Sequence, residues 1–206
     1  MAYQFDVFIS YRRTKTTKEW LDDVFLQHFT DHLKEESKNI GLKFFLDRDG
    51  IEGGDNWKTA IREAAVRSRC VVPILQPTYF QSEWCVRELA IFLHRHQQLG
   101  FGNAQKLVFP VTISDGEHFP DALKTTQQFE AQKCNRPLET LRGTERYLGF
   151  LDYLIDEWVP TVAKNLAGAP AWDSDWLNDT WTDPSELIKT LYQGQPPVMA
   201  APTLTL

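Results

Sequence analysis

The chain has 206 residues, 42% of them hydrophobic and 24% charged, and a formal net charge of −6. That length suits one globular domain with appendages better than two full domains. The acidic balance excludes the concentrated basic field that a nucleic-acid or anionic-membrane surface needs, so neither is an expected partner.

Short apolar runs alternate with longer helical patterns, which is the mark of an α/β fold with a parallel sheet. Residues 5–10 read as the first strand, with Val7 and Ile9 favouring extended backbone. A helix follows, its Leu21, Val24, Phe25, Phe29 and Leu33 recurring at helical spacing. Residues 43–46 form the second expected strand, which ends in a polar loop bearing Gly50, Gly53 and Gly54. Asp55 is placed to cap a helix running through Trp57, Ile61, Ala64 and Ala65. The third strand is expected at 70–75. After a loop holding Pro77 and Tyr79 comes a helix at 83–96. A fourth strand at 107–113 stops at the turn Ser114-Asp115-Gly116, and a weaker fifth falls at 128–131. A long helix covers 145–166, with Leu148, Leu151, Leu154, Ile155 and Trp158 on one side; Pro160 should kink or divide it. Beyond Gly168, Trp172, Trp176 and Trp181 alternate with acidic residues, and Pro196, Pro197 and Pro202 lead to a tail without charge. The expected organisation is therefore a domain at 1–168, a tryptophan-rich extension at 169–193 packed back on it, and a flexible tail or linker at 194–206.

Cys70, Cys85 and Cys134 are odd in number, far apart and free of any CxxC pairing. They read as reduced cysteines of a cytoplasmic protein, not as a disulfide frame or a zinc site. The first residues have no basic and apolar leader pattern, and no apolar run is long enough to span a bilayer.

The most informative stretch is Ser82-Glu83-Trp84-Cys85-Val86-Arg87-Glu88-Leu89. Trp84 and Glu88, four apart on a helix, share a face, while Cys85, Leu89 and Phe92 form a neighbouring inward stripe. A carboxylate beside an indole at the edge of a core is partly desolvated, which raises its pKa. The plainer reading is an acid in a helix's first turn, favourable with the dipole, and on spacing alone it carries more weight. Tyr11-Arg12-Arg13 follows the first strand, where open α/β sheets bind ligands. Two arginines there can meet a pyrophosphate with forked hydrogen bonds, or can be a solvated basic loop. The loop from Asp47 to Trp57 has the outline of a calcium loop, but Ile51 falls where an oxygen ligand is needed and Glu52 where a glycine is needed. No P-loop, no GxGxxG after the first strand and no GxSxG occur. His94 and His96 diverge around their helix, cannot share a metal and read as surface residues. No metal site is expected.

These residues resemble a known family. Residues 5–13 resemble the opening strand and loop of Toll/interleukin-1 receptor (TIR) domains. Residues 45–54 resemble the family's second strand and BB loop, here Asp47, Arg48, Asp49, Gly50, Ile51, Glu52, Gly53 and Gly54. Ser82-x-Trp84-Cys85-x-x-Glu88-Leu89 resembles its third-helix signature, and Phe109-Pro110-Val111 its fourth strand. The ending resembles bacterial members rather than animal receptors. The resemblance implies a flavodoxin-like three-layer fold, a five-stranded parallel sheet with helices on both faces. It also implies an NAD+ nucleosidase for which NAD+ is substrate and no cofactor is held. Glu88 would be the catalytic residue, with Tyr11, Arg12, Arg13, Trp57 and Trp84 around the substrate and the BB loop serving assembly. Products would be nicotinamide with ADP-ribose or a cyclic ADP-ribose. Partners would be other TIR domains through self-association, and a sensor domain or protein, in bacterial anti-phage defence. Two alternatives stay open: a non-catalytic TIR interaction module, and another N-glycoside enzyme on the same fold.

Overall fold

The computed structural model describes residues 2–46, 56–100, 106–114, 116, 119–120, 123 and 128–177, and the backbone alone at 56, 57 and 97. The expected BB loop from Asp47 to Gly54, the Asp55 cap, Asp115, Trp181 and the tail at 194–206 lie outside the described residues.

Five strands form one sheet in the order β2-β1-β3-β4-β5, and every pairing is parallel. They are β1 (Phe5–Tyr11), β2 (Phe44–Leu46), β3 (Ser68–Leu75), β4 (Val111–Thr112) and β5 (Phe129–Glu130). This is the flavodoxin-like order, and its direction of winding reverses between β1 and β3. Alternation along β1 sorts its side chains by face. Val7, Ile9 and Tyr11 enter one core, and Phe8 enters the other.

The first core is closed by α1 (Lys15–Trp20), a π-helical segment (Leu21–Phe25) and α2 (Leu26–Glu36). The late helices join them: α6 (Glu145–Tyr153), a second π segment (Leu154–Trp158) and α7 (Val159–Ala167). Aromatic rings dominate here: Phe129 lies 5.1 Å from Phe150 and 5.4 Å from Trp158, and Trp158 lies 5.1 Å from Phe29. The second core lies under α3 (Asn56–Val66) and α4 (Glu83–Gln98), which pack on the sheet through Ile61, Ala64, Ala65, Cys85, Leu89 and Phe92. A short α5 (Leu138–Leu141) precedes α6.

Three expectations need correction. The fourth strand is broken: Val108 makes an isolated bridge to Val71, and regular pairing resumes only at Val111. Pro110 lies between them and has no N–H to offer the ladder. Leu148 is 54% exposed and does not face the core. The inward stripe is Tyr147, Phe150, Leu154, Trp158, Val162 and Leu166; its repeated four-residue steps would drift around a regular helix, and the π segment takes up that drift. Pro160 does not divide the run, which stays helical from Glu145 to Ala167; it follows directly on the π segment, where the regular ladder is already interrupted. The third correction concerns α4: His94 is exposed, but His96 is half-buried, and Arg95 between them is only 2% exposed.

Arg95 is held at the amino end of the sheet. Its guanidinium donates to the carbonyls of Ser68 and Val66, both at 2.8 Å, and stacks 4.2 Å over Trp176. Nearby, Arg62 donates to the Leu177 carbonyl at 2.7 Å, and Arg67 lies over the Trp172 ring. The chain after α7 is thus laid across the bottom of the sheet as far as residue 177. No described helix is long and apolar enough to cross a membrane.

Candidate active site

Two capped helix starts converge where β1 and β3 end. After β1, Thr14 accepts a hydrogen bond from the Thr17 backbone N–H at 3.2 Å and begins α1. Arg12 and Arg13 therefore occupy the turn between strand and helix, and both are exposed. At the start of α4, the Ser82 hydroxyl accepts from the Cys85 N–H at 3.4 Å. Glu83 takes the first turn, where an acid suits the dipole. Glu88 is a turn further in, on the sheet-facing side, and only 7% exposed. The plainer account of Glu88 as a first-turn acid belongs to Glu83.

Ser10 backs the carboxyl from behind the pocket. Its neighbours Ile9 and Tyr11 point into the first core, so alternation turns Ser10 toward α4. The Ser10 hydroxyl lies 2.5 Å from Glu88 Oε2 and 2.7 Å from the Tyr79 hydroxyl. The Tyr79 hydroxyl in turn donates to the Cys85 carbonyl at 3.0 Å. Burial pushes the Glu88 carboxyl from 4.5 up to about 7, against the opposing pull of the Ser10 hydrogen bond and the Arg13 charge. Burial also raises Cys85 to about 12 and Tyr79 well above its ordinary range, so neither is charged at neutral pH.

Glu88 and Cys85 line a cleft of about 160 Å³ whose walls include Phe8, Ile61 and Trp84 and whose rim carries Arg12 and Arg13; Ser10 and Tyr79 lie behind it. The volume is below the ~300–1,000 Å³ of ordinary ligand pockets, so it suits one ring system with the remainder of a ligand outside. Trp84 is half-buried, with the Lys58 ammonium and the Arg87 guanidinium each 5.5 Å from its ring centre. A cationic ring stacking on that indole must compete with them. Arg87 is also tied to Glu83. Among the described residues, no group of three His, Cys, Asp or Glu side chains could hold a metal ion.

Of the residues singled out from sequence, Tyr11, Arg12, Arg13, Trp84 and Glu88 line this one cleft. Tyr11 is the last residue of β1, and only 7% of it is exposed. The backbone of Trp57 is in the first turn of α3, but its side chain lies outside the described residues. Sequence reasoning missed Ser10 and Tyr79. A signal for Ser10 was present, since it is a polar residue on the Phe8 face at the carboxyl end of β1, where an α/β sheet places its site; Asp6, the other polar residue on that face, lies at the amino end.

The sequence pattern of the TIR domain family matches residues 7–142. The chain belongs to that family. The TIR match runs from β1 past β5 and takes in every residue of the cleft. Disease resistance-like protein CSA1 of Arabidopsis thaliana is 29% identical over 143 residues, which are 66% of this chain and 11% of that protein. NAD(+) hydrolase TcpA of a Theionarchaea archaeon is 28% identical over 88 residues, 39% of this chain and 27% of that protein. The TIR domain described here thus matches only a small part of the length of these relatives. Among solved structures, the TIR domain of the Toll-related receptor TRR-2 from Hydra magnipapillata aligns with a TM-score of 0.44 and 21% identity. That alignment covers 66% of this chain and 91% of that one.

Proposed function

We propose that this TIR domain is an NAD+ nucleosidase that cleaves the bond between nicotinamide and ribose, with Glu88 as its catalytic residue. The observation that carries the reading is a carboxyl only 7% exposed, held by Ser10 in a cleft rimmed by two arginines. A buried acid pushed up to about 7 and opening into a cleft supports a catalytic role over a docking surface, which does not require one. The kinship with TcpA, itself an NAD(+) hydrolase, supports the same chemistry.

One carboxylate is sufficient for this reaction. Ordinary glycosidases use a second acid to protonate the leaving oxygen. Nicotinamide leaves as a neutral ring: the C1′–N bond breaks, its electron pair goes to the pyridine nitrogen, and no proton is required. Positive charge develops on the ribose, and ionised Glu88 stabilises it in a cleft with little water. Arg12 and Arg13 hold the pyrophosphate at the rim with charge-assisted hydrogen bonds. Water adding at C1′ and releasing a proton gives ADP-ribose; attack by an atom of the same molecule gives a cyclic form. Trp84 frames the entrance, and Trp57 is the candidate aromatic at the start of α3. The BB loop, Asp47 to Gly54, serves homotypic self-association that activates the enzyme. The setting is cytoplasmic bacterial defence signalling under a sensor domain or protein. Kinship with plant disease-resistance proteins and three free, buried cysteines suit that setting.

The test is NAD+ consumption at high protein concentration, with and without a crowding agent, for the wild type and Glu88→Gln, with products separated by chromatography. Nicotinamide release by the wild type alone is expected. Equal turnover by both proteins, or none by either when self-associated, overturns the assignment.

A further inference from the structure

Ser10 and Tyr79 touch no part of the cleft's rim, yet they are wired to its carboxyl. The chain of short contacts runs Glu88 Oε2, Ser10 Oγ, Tyr79 Oη, Cys85 carbonyl, at 2.5, 2.7 and 3.0 Å. Each hydroxyl has one proton to donate. With Glu88 protonated, all three links are satisfied in one direction: Glu88 donates to Ser10, Ser10 to Tyr79, and Tyr79 to the Cys85 carbonyl. With Glu88 ionised, Ser10 must turn its proton to the carboxylate. Tyr79 then loses the proton that Ser10 gave it and has a single proton for either Ser10 Oγ or the Cys85 carbonyl, so one link of the chain goes unmade. The two charge states of Glu88 thus correspond to opposite directions of the Ser10 proton and to three satisfied links against two.

We propose that Ser10 and Tyr79 are positioning residues, a reversible hydroxyl relay that fixes the direction of the Glu88 carboxyl and balances its protonated and ionised forms. Only the Glu88 proton leaves or returns; the hydroxyl protons stay within the chain, that of Ser10 reversing its direction. The groups facing the carboxyl are Arg12 and Arg13 from the turn after β1, and Cys85 from its own helix. Lys58 of α3 and Arg87 are drawn to the Trp84 ring instead. Arg13 favours the ionised form, and Cys85 and Tyr79 stay neutral, so within the relay only Glu88 changes charge near neutral pH. The benefit for turnover rests on the reading of Glu88 as catalytic; the relay itself does not.

The arrangement makes the two removals act in opposite senses. Ser10→Ala takes away the one donor to the carboxylate among the described residues, so ionisation becomes harder. Tyr79→Phe removes two hydrogen bonds from the protonated ordering and one from the ionised ordering, so ionisation becomes easier. In a carbon-13 titration of the Glu88 carboxyl, identified by its loss in Glu88→Gln, Ser10→Ala should raise the midpoint and Tyr79→Phe should lower it. Each shift should be about one pH unit, the scale of a charge-assisted hydrogen bond. Ser10→Thr, which keeps the hydroxyl, should restore the wild-type midpoint. In the wild type, the Tyr79 ring carbon bearing the hydroxyl should titrate together with Glu88, because its oxygen loses the proton donated by Ser10 when the carboxyl ionises. Shifts of the same sign in the two variants overturn the relay, and so does a Tyr79 signal flat through the Glu88 midpoint, which is read in the wild type without either relay variant. If NAD+ is cleaved, the pH dependence of kcat should move with each midpoint while KM stays unchanged. Opposite midpoint shifts in a protein that cleaves no NAD+ would leave the relay standing and remove the proposed function.

Discussion

Glu88→Gln should make the protein more stable, and the gain should depend on pH. The folded carboxyl titrates at about 7, against an ordinary 4.5. Below pH 4.5 both folded and unfolded chains hold the proton, so the two proteins should be nearly equal in stability. Between 4.5 and about 7 the unfolded wild type has released the proton that the folded wild type keeps, so wild-type stability falls as pH rises. Above about 7 both states are ionised and the loss is complete. A difference of about two and a half pH units corresponds to roughly 3 kcal/mol. Glutamine is nearly isosteric, its amide oxygen still accepts from Ser10, and it never bears the charge. Glu88→Gln should therefore gain roughly 3 kcal/mol over the wild type at pH 8, which is about 6–12 °C in Tm for a domain of this size. Urea denaturation followed by tryptophan fluorescence at a series of pH values measures this directly. Other titrating groups affect both proteins alike, so the difference isolates Glu88. Parallel stability curves for the two proteins from acid to alkaline pH would refute the claim that burial is what raises this carboxyl.

The kcat/KM for NAD+ should rise with pH through a midpoint of about 7, because the ionised carboxyl is the working form. In the kcat profile the midpoint should lie lower, since a bound nicotinamide cation favours the carboxylate; identical midpoints would contradict this. Arg95→Met should cost about 3 kcal/mol in urea denaturation, from two charge-assisted hydrogen bonds to buried carbonyls and the stacking on Trp176. A loss within experimental error would mean that Arg95 is held without contributing. Phe129→Ala should cost about 3–5 kcal/mol by the same assay, because its ring meets Phe25, Phe150, Tyr153 and Trp158 in the first core.

The layers of the fold were legible because the periodicities change cleanly along the chain. Val7 and Ile9 alternate as a strand, and Leu21, Val24, Phe25, Phe29 and Leu33 mark an inward stripe that is buried throughout. What stayed hidden depended on contacts between distant segments. Arg95 sits between two histidines on what reads as a polar helix end, and nothing local shows that the chain near Trp176 will cover it. Leu148 looked inward because a regular helix was assumed, whereas a π segment resets the stripe. The site was partly legible: the motif around Glu88 and the arginines after β1 were visible as residues, and the sheet order explains why they meet. Ser10 and Tyr79 are 69 positions apart and join Glu88 only through that order, so spacing could not reveal their connection.

The fold solves a mechanical problem in α4. Glu88 and Arg95 are seven residues apart, nearly two full turns, so both lie on the face of the helix that meets the sheet. Ionised Glu88 at one end is destabilising, and a helix free to shift would simply carry it out to water. Arg95 at the other end opposes that movement: it is fixed to the carbonyls of Val66, at the end of α3, and Ser68, at the start of β3, and covered by Trp176. A cation near a helix carboxyl terminus is also favourable with the dipole. One end of α4 is thus anchored at the amino edge of the sheet, and the other presents an acid at the carboxyl edge, where β1 supplies Ser10. The strain of burying the acid is borne by a helix that cannot retreat from it, which is what a preorganised electrostatic site requires.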